Sequence, residues 1–278
     1  MAQARAPDPL SLAPRARLAA LRTVLTDIDD TLTEEGRLPA LAFSAMEALA
    51  AAGLQVIPVT GRPAGWCDAI ARQWPVAGVV GENGALWYAE DRAARRMVRW
   101  QAQGEAERLA GRDRLMALAA RAMEAVPGSR IASDQAFRLF DVAVDFAEDA
   151  GPLSLEDAAR IAAVFEAGGA RAKVSSIHVN AWFGDWDKRA GIESLFAARL
   201  SPLDGVIDQV AFLGDSPNDA PLFAAIPFSI GVANVLPHLA GIASAPAYIT
   251  RAPGGRGFAE FAQALLAARD NDMEENAA

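Results

Sequence analysis

Short apolar, strand-like runs in this chain end directly on clusters of polar residues, a pattern that few folds accommodate. Residues 23–26 lead into Asp27-Ile28-Asp29-Asp30-Thr31, residues 55–59 into Thr60-Gly61-Arg62, and residues 209–213 into Gly214-Asp215-Ser216-Pro217-Asn218-Asp219. Runs of this length and apolar content read as strands buried on both faces. Between the first two, residues 39–52 have amphipathic helical spacing (Leu41, Ala45, Leu49) closed by Gly53 as a C-cap. Residues 64–74 read as a second helix and 78–80 as a third short strand. This β-α-β-α-β rhythm predicts a parallel sheet with helices on both faces. An open sheet of that kind binds its ligand beyond the carboxyl ends of its strands.

The rhythm breaks after Gly84. Residues 87–100 read as a hairpin, 105–126 as a long helix, 130–132 and 137–146 as a strand pair, 154–167 as a helix and 172–180 as a strand. Val142, Val144 and Phe146 alternate, as in an antiparallel sheet with one covered face. The first rhythm resumes at residue 187. The expected organisation is therefore an N-terminal extension, partly disordered, over 1–20; a core of 21–85 and 185–268; an inserted α+β unit over 86–184; and an acidic, frayed tail over 269–278. Gly84 and Gly184 are the hinge candidates, with Glu82-Asn83-Gly84 leading into the insertion.

With 278 residues, 52 % of them apolar, the chain can bury a substantial core. Its net charge of −9 argues against a nucleic-acid or anionic membrane partner, both of which demand a basic surface. The lone Cys67 forms no internal disulfide and reads as an apolar filler. No run resembles a signal peptide or a membrane span, so a cytoplasmic monomer or homodimer is expected.

An acidic protein whose polar clusters meet at one sheet edge suits phosphoryl transfer. A carboxylate that attacks phosphorus forms an aspartyl phosphate and divides one hard displacement into two. Asp27 is the expected nucleophile. Asp29, two residues on and on the same side of an extended chain, is the expected general acid and base. Carboxylates facing a phosphate dianion need a hard cation. Mg²⁺ takes oxygen ligands and keeps several waters, with Asp27, Asp215 and the Asp29 backbone as ligands. Thr60 offers a hydroxyl and, with Gly61, backbone N–H groups to the phosphate, while Lys188 supplies a point charge. Asn218 is expected to bond Lys188 or the phosphate, and Asp219 to orient the metal's waters or Lys188. Arg62 reads as a structural or rim residue.

The set DIDDT, TGR, a lone Lys188 in GDWDKRAG, and GDSPND resembles the four motifs of the haloacid dehalogenase superfamily of phosphatases. The insertion between the second and third motifs resembles the subgroup with a large cap, which includes sucrose-phosphate, trehalose-phosphate, mannosyl-3-phosphoglycerate and Cof-type sugar phosphatases. The resemblance spans about residues 21–267. It implies an α/β fold, a Rossmann-like doubly wound parallel sheet with an inserted α+β cap of the C2 type. It also implies a Mg²⁺-dependent phosphatase for a small phosphorylated metabolite such as a sugar phosphate. On it, Asp27 is nucleophile, Asp29 acid and base, Thr60, Lys188 and Asn218 phosphate contacts, and Asp27, Asp29 and Asp215 metal ligands. A sugar phosphomutase using the same aspartyl phosphate is an alternative. A receiver-like phosphoacceptor is another, although it needs neither a cap nor an acid at Asp29.

Within the insertion, His178, Asn180 and Trp182 alternate and share a strand face. They either read a sugar, His178 and Asn180 through hydroxyls and Trp182 against an apolar ring face, or they pack. Asp141 and Asp145 likewise either bind hydroxyls or pair with Arg138.

Overall fold

The computed structural model describes residues 6–277, with side chains as far as residue 270. The core begins with β1 (Asp8–Pro9), α1 (Arg15–Ala20), β2 (Thr23–Thr26), α2 (Ala40–Ala51), β3 (Gln55–Pro58), α3 (Ala64–Gln73) and β4 (Val79–Gly81). A hairpin follows, β5 (Leu86–Asp91) and β6 (Arg96–Gln101). Next come α4 (Glu105–Ala125), β7 (Arg130–Ile131), β8 (Val142–Asp145), α5 (Leu155–Ala167), β9 (Arg171–Val174) and β10 (His178–Trp182). The chain then returns through α6 (Lys188–Arg199), α7 (Leu203–Val206), β11 (Val210–Gly214), α8 (Ala220–Ala225), β12 (Phe228–Gly231), β13 (Tyr248–Ile249) and α9 (Gly254–Ala277).

The main sheet is parallel throughout, in the order β1-β13-β12-β11-β2-β3. Its strands are apolar on both sides because both sides are covered. Val24, Val56 and Ala211 point into one cluster with α1, α2, α3 and α9, whereas Leu25, Ile57 and Phe212 point into another with α6, α7 and α8. A second sheet, β7-β8-β10-β9, is antiparallel. The helices α4 and α5 cover one of its faces around Leu118, Val144, Ile161 and Phe165. This is the Rossmann-like core with an inserted α+β cap.

Several local expectations change. The stretch before residue 21 was expected to be extension. Residues 1–5 lie outside the described residues, but β1 pairs with β13, and Leu10, Leu18 and Ala19 are buried. The acidic tail over 269–278 continues α9 as backbone to Ala277, while its side chains from 271 onward, and Ala278 entirely, lie outside the described residues.

The hairpin β5–β6 opens the expected cap span, yet it packs with the core. Leu86 and Tyr88 join one core cluster, Trp87 and Ala89 the other, and Trp87 Nε1 donates to Ser194 Oγ of α6 at 3.1 Å. The single strand expected over 172–180 is two, folded at Ser175, whose hydroxyl accepts the His178 amide at 3.0 Å. Residues 137–141 do not extend β8, because the amides of Leu139, Phe140 and Asp141 are taken by the side chain of Glu82. Among the described residues, no helix is long and apolar enough to cross a membrane.

Candidate active site

The carboxyl ends of β2, β3 and β11 meet where the motif residues lie. Asp27 immediately follows β2 and is fixed by its amide, which donates to Leu213 O at 2.9 Å. Lys188 begins α6, whose N-cap Asp187 accepts from Ala190 N at 2.9 Å. The lysine Nζ donates to Asp27 Oδ1 and to Asp219 Oδ1, each at 2.8 Å. Asp219 Oδ2 accepts the amides of Asp215 at 3.1 Å and Ser216 at 3.3 Å. Both Asp219 oxygens are therefore committed, one to Lys188 and one to the turn that presents Asp215. Gly214 makes that turn possible, since a Cβ there would stand 2.5 Å from Asp219 Oδ2.

Charge in this cluster is unbalanced. Asp27, Asp215 and Asp219 offer oxygens within 4.8 Å of one another, and all three are buried. One ammonium against three carboxylates leaves a deficit that a divalent cation matches. Burial pushes Asp27 up to about 7, with Lys188 opposing and Asp219 and Asp29 adding to the rise. Burial, then Asp219 and Asp27, push Asp215 well above the usual carboxylate range. Burial alone would lower Lys188, but Asp219 and Asp27 outweigh it and hold the ammonium above its ordinary value. The donors are all oxygens, the chemistry of a hard cation. Asp215 accepts from Thr31 Oγ1 and Asn234 Nδ2, each at 3.2 Å, so all three carboxylates carry hydrogen bonds and Asp27 and Asp215 stay the expected ligands.

Asp29 and Asp27 have different partners. The chain after Thr26 leaves the strand, and Asp30 sits at φ +57°, yet Asp27 and Asp29 line the same chamber. Asp27 meets Lys188, whereas Asp29 is held by Arg62: Nε lies 3.0 Å from Oδ2 and Nη2 2.8 Å from Oδ1. Arg62 is no rim residue. It is buried, lies over the Trp66 ring at 4.5 Å, and reaches into the cap to Glu148 Oε1 at 2.9 Å. Glu148 Oε2 in turn stands 2.9 Å from His178 Nε2, with the ring N–H directed off the oxygen. Asp145 builds the loop that presents Glu148, accepting from the amides of residues 147–150.

The remaining expected residues divide. The Thr60 amide is spent on Val80 O at 2.9 Å, so only its hydroxyl and the Gly61 N–H remain for a phosphate. Asn218 accepts from Ser216 Oγ at 2.7 Å and lines the chamber, but Lys188 bonds Asp27 and Asp219 instead of Asn218. Asn180 faces the chamber with His178 and donates to Asp141 Oδ2 at 2.9 Å. Asp141 is otherwise taken by Arg138 Nη1 at 3.0 Å. Trp182 does not face the site. It is 1 % exposed and stacks on Trp186, centroids 6.3 Å apart, so it packs.

The closed chamber over Asp27, Asp29, Arg62, His178 and Asn180 has a volume of only about 20 Å³. The hairpin tip Ser175-Ser176 separates it from an open cleft of about 900 Å³ on the Asp30 and Asp215 side. Asn234 was not singled out from sequence. It donates to Asp215 Oδ2 at 3.2 Å and to Asp30 O at 3.0 Å. Its place just past the end of β12, in the same row as the other loops, was the available signal. For Glu148 there was none.

A parallel sheet with motif loops at its carboxyl edge and an α+β cap defines a class of capped Rossmann-like folds. Residues 24–101 match the family model of the haloacid dehalogenase-like hydrolases. No curated protein sequence matches the chain. Among solved structures, the C-terminal domain of trehalose-6-phosphate phosphatase from C. albicans superposes with a TM-score of 0.68 at 13 % identity, covering 95 % of this chain and 98 % of that one. A Thermoplasma acidophilum protein gives 0.67 at 17 % identity, covering 88 % and 98 %. The sucrose-phosphatase from Synechocystis, solved with sucrose and phosphate, gives 0.60 at 16 % identity, covering 87 % and 97 %. At such identities the likeness concerns the fold. The family match over residues 24–101 and these superpositions show that the chain has the fold of the haloacid dehalogenase-like hydrolases with an inserted α+β cap.

Proposed function

We propose that the protein is a Mg²⁺-dependent phosphatase that hydrolyses a small sugar phosphate through an aspartyl phosphate on Asp27. The carrying observation is Lys188 Nζ, held 2.8 Å from both Asp27 and Asp219 with Asp215 alongside, at the ends of parallel strands. Lys188 fixes Asp27 through Oδ1 and leaves Oδ2 to attack phosphorus. The developing charge on the phosphoryl oxygens falls on Lys188, the Gly61 N–H and the Thr60 hydroxyl, groups already in position. Asp29 protonates the departing alkoxide, then takes the proton of the water that splits the aspartyl phosphate. Its ion pair with Arg62 must loosen for that, so Arg62 sets when Asp29 is available. Mg²⁺ on Asp27, Asp215 and the Asp29 backbone would supply the missing positive charge and orient the phosphate.

The sugar-phosphate reading is supported by the polar cap face of His178, Asn180 and Glu148, and by the substrates named for the similar folds. Its test is a phosphate-release screen over a broad panel of phosphorylated metabolites with Mg²⁺. Turnover of one or a few sugar phosphates is expected. Release confined to nucleotides or phosphoproteins would remove the sugar assignment, and bound bisphosphate with no net hydrolysis would point to a mutase.

A further inference from the structure

The turn Glu82-Asn83-Gly84, expected as a hinge, lies buried between core and cap. Glu82 and Asn83 both take positive φ, 43° and 55°. Residues other than glycine enter that region at a cost, and they stay there where the surroundings fix them. What fixes Glu82 is visible. Its Oε1 accepts the amides of Ala64 at 2.9 Å and Leu139 at 2.8 Å, and its Oε2 those of Phe140 at 2.5 Å and Asp141 at 3.1 Å. Three successive N–H groups converging on one carboxylate form an anion nest.

This nest crosses the boundary between core and cap. Ala64 opens α3 just after the phosphate-binding turn, whereas residues 139–141 lead into β8 of the cap. Through its backbone Glu82 also grips the turn: its amide donates to Arg62 O, and that of Asn83 to Thr60 O, both at 3.1 Å. At the far end of the nest Asp141 holds Asn180 and Arg138, and Arg138 Nη1 returns to Gly61 O at 3.0 Å. The loop thus begins and ends on the phosphate-binding turn. Burying a carboxylate is costly, and three of its four partners are present only when the cap sits on the core.

We propose that Glu82 is a positioning residue that seats the cap loop 138–141 on the phosphate-binding turn 60–62, so that Asn180 and His178 face the substrate only when that turn is set. Its kinetic consequence rests on the phosphatase reading above, whereas its structural claim can be tested without turnover. Glu82→Gln keeps the volume but leaves one acceptor oxygen and turns an amide NH₂ toward N–H donors. Glu82→Asp keeps the charge and falls one methylene short.

The test uses the full-length protein with both variants, and Ser154→Ala, at the start of α5 in the cap, as a control. Amide hydrogen exchange should rise about tenfold or more at residues 139–141 and at Arg62 and Ala64 together in Glu82→Gln, less in Glu82→Asp, while β2 and β11 keep their protection. With Mg²⁺, kcat/KM of Glu82→Gln on the best sugar phosphate of the panel should fall about tenfold further than on para-nitrophenyl phosphate, with partial rescue in Glu82→Asp. Unchanged exchange at 139–141 in both variants overturns the proposal, and so does an equal loss on the two substrates. Wild-type protein that releases no phosphate from any compound sinks the phosphatase reading alone, because the exchange measurement still decides the seat.

Discussion

Two cations organise this site, and they do so differently. Lys188 lies wholly within the core, against Asp27 and Asp219, both supplied by strand-end loops. Arg62 spans the boundary, with Asp29 on its own side and Glu148 on the cap. The first cluster persists whatever the cap does. Of the second, only the Arg62–Glu148 pair crosses to the cap, so on the proposed function it is the pair that a lifting cap would break. On the proposed function, the contrast gives bond-making to the fixed cluster and substrate admission to the breakable one. On the proposed function it also accounts for Asp29 being tied to Arg62 and not to Lys188, since a general acid is the group whose availability should depend on closure.

The sharpest break with this division would come at Lys188 and Asp27. Asp27→Asn keeps the shape but removes the attacking charge, and should cut turnover by about 10³-fold or more on every substrate. Near wild-type rates from undeamidated protein would end the nucleophile assignment. Chelation follows in size. EDTA should abolish activity and Mg²⁺ restore it, with Ca²⁺ inhibiting through its looser coordination, and Asp215→Ala should raise the Mg²⁺ requirement or eliminate activity. Full activity in excess EDTA would contradict the reading of the carboxylate deficit.

The breakable cluster predicts smaller, selective losses. Glu148→Gln should lower kcat/KM on a sugar phosphate by about ten- to a hundredfold, yet change an aryl phosphate by only about threefold. Equal losses would make Glu148 part of the frame. The Trp182→Phe variant reverses the pattern: it should destabilise the fold by about 1–3 kcal/mol, read by denaturant midpoint, and leave the ratio between the two substrates unchanged.

The pH dependence of Glu148 gives the smallest effect. The His178 ring beside it and the pair with Arg62 outweigh burial and hold its carboxyl at about 2, below its ordinary 4.5. A depressed folded value means that the contribution is complete above about 4.5 and fades as pH falls toward about 2. The stability gap between wild type and Glu148→Gln should therefore narrow on acidification through that window. A gap that widened would place the protonated form in the closed state.

The two clusters also differ in how far the sequence reveals them. Asp27, Asp215 and Asp219 stand in motifs beside strand ends, and parallel strands bring such ends together by topology alone, while Lys188 opens the helix α6 that packs beside them. Arg62 was in plain view, but its role depends on Glu148, some 86 residues away in a loop with no motif. Periodicity cannot reach such a partner. The cap strand expected over 172–180 failed for a related reason: Ser175 caps its own turn with a side-chain hydroxyl, which apolar alternation does not register. Residues 137–141 read as strand because their side chains suit one, while the competitor for their amides, Glu82, is remote in sequence.

Whether the fixed cluster makes and breaks the phosphoryl bond can be read directly by acid-quenching the enzyme during turnover of a radiolabelled aryl phosphate with Mg²⁺. The label should be found on the peptide containing Asp27, be released by hydroxylamine, accumulate further in Asp29→Asn, and be missing from Asp27→Asn. Label on another residue, or steady turnover with no protein-bound label in either wild type or Asp29→Asn, would contradict the account.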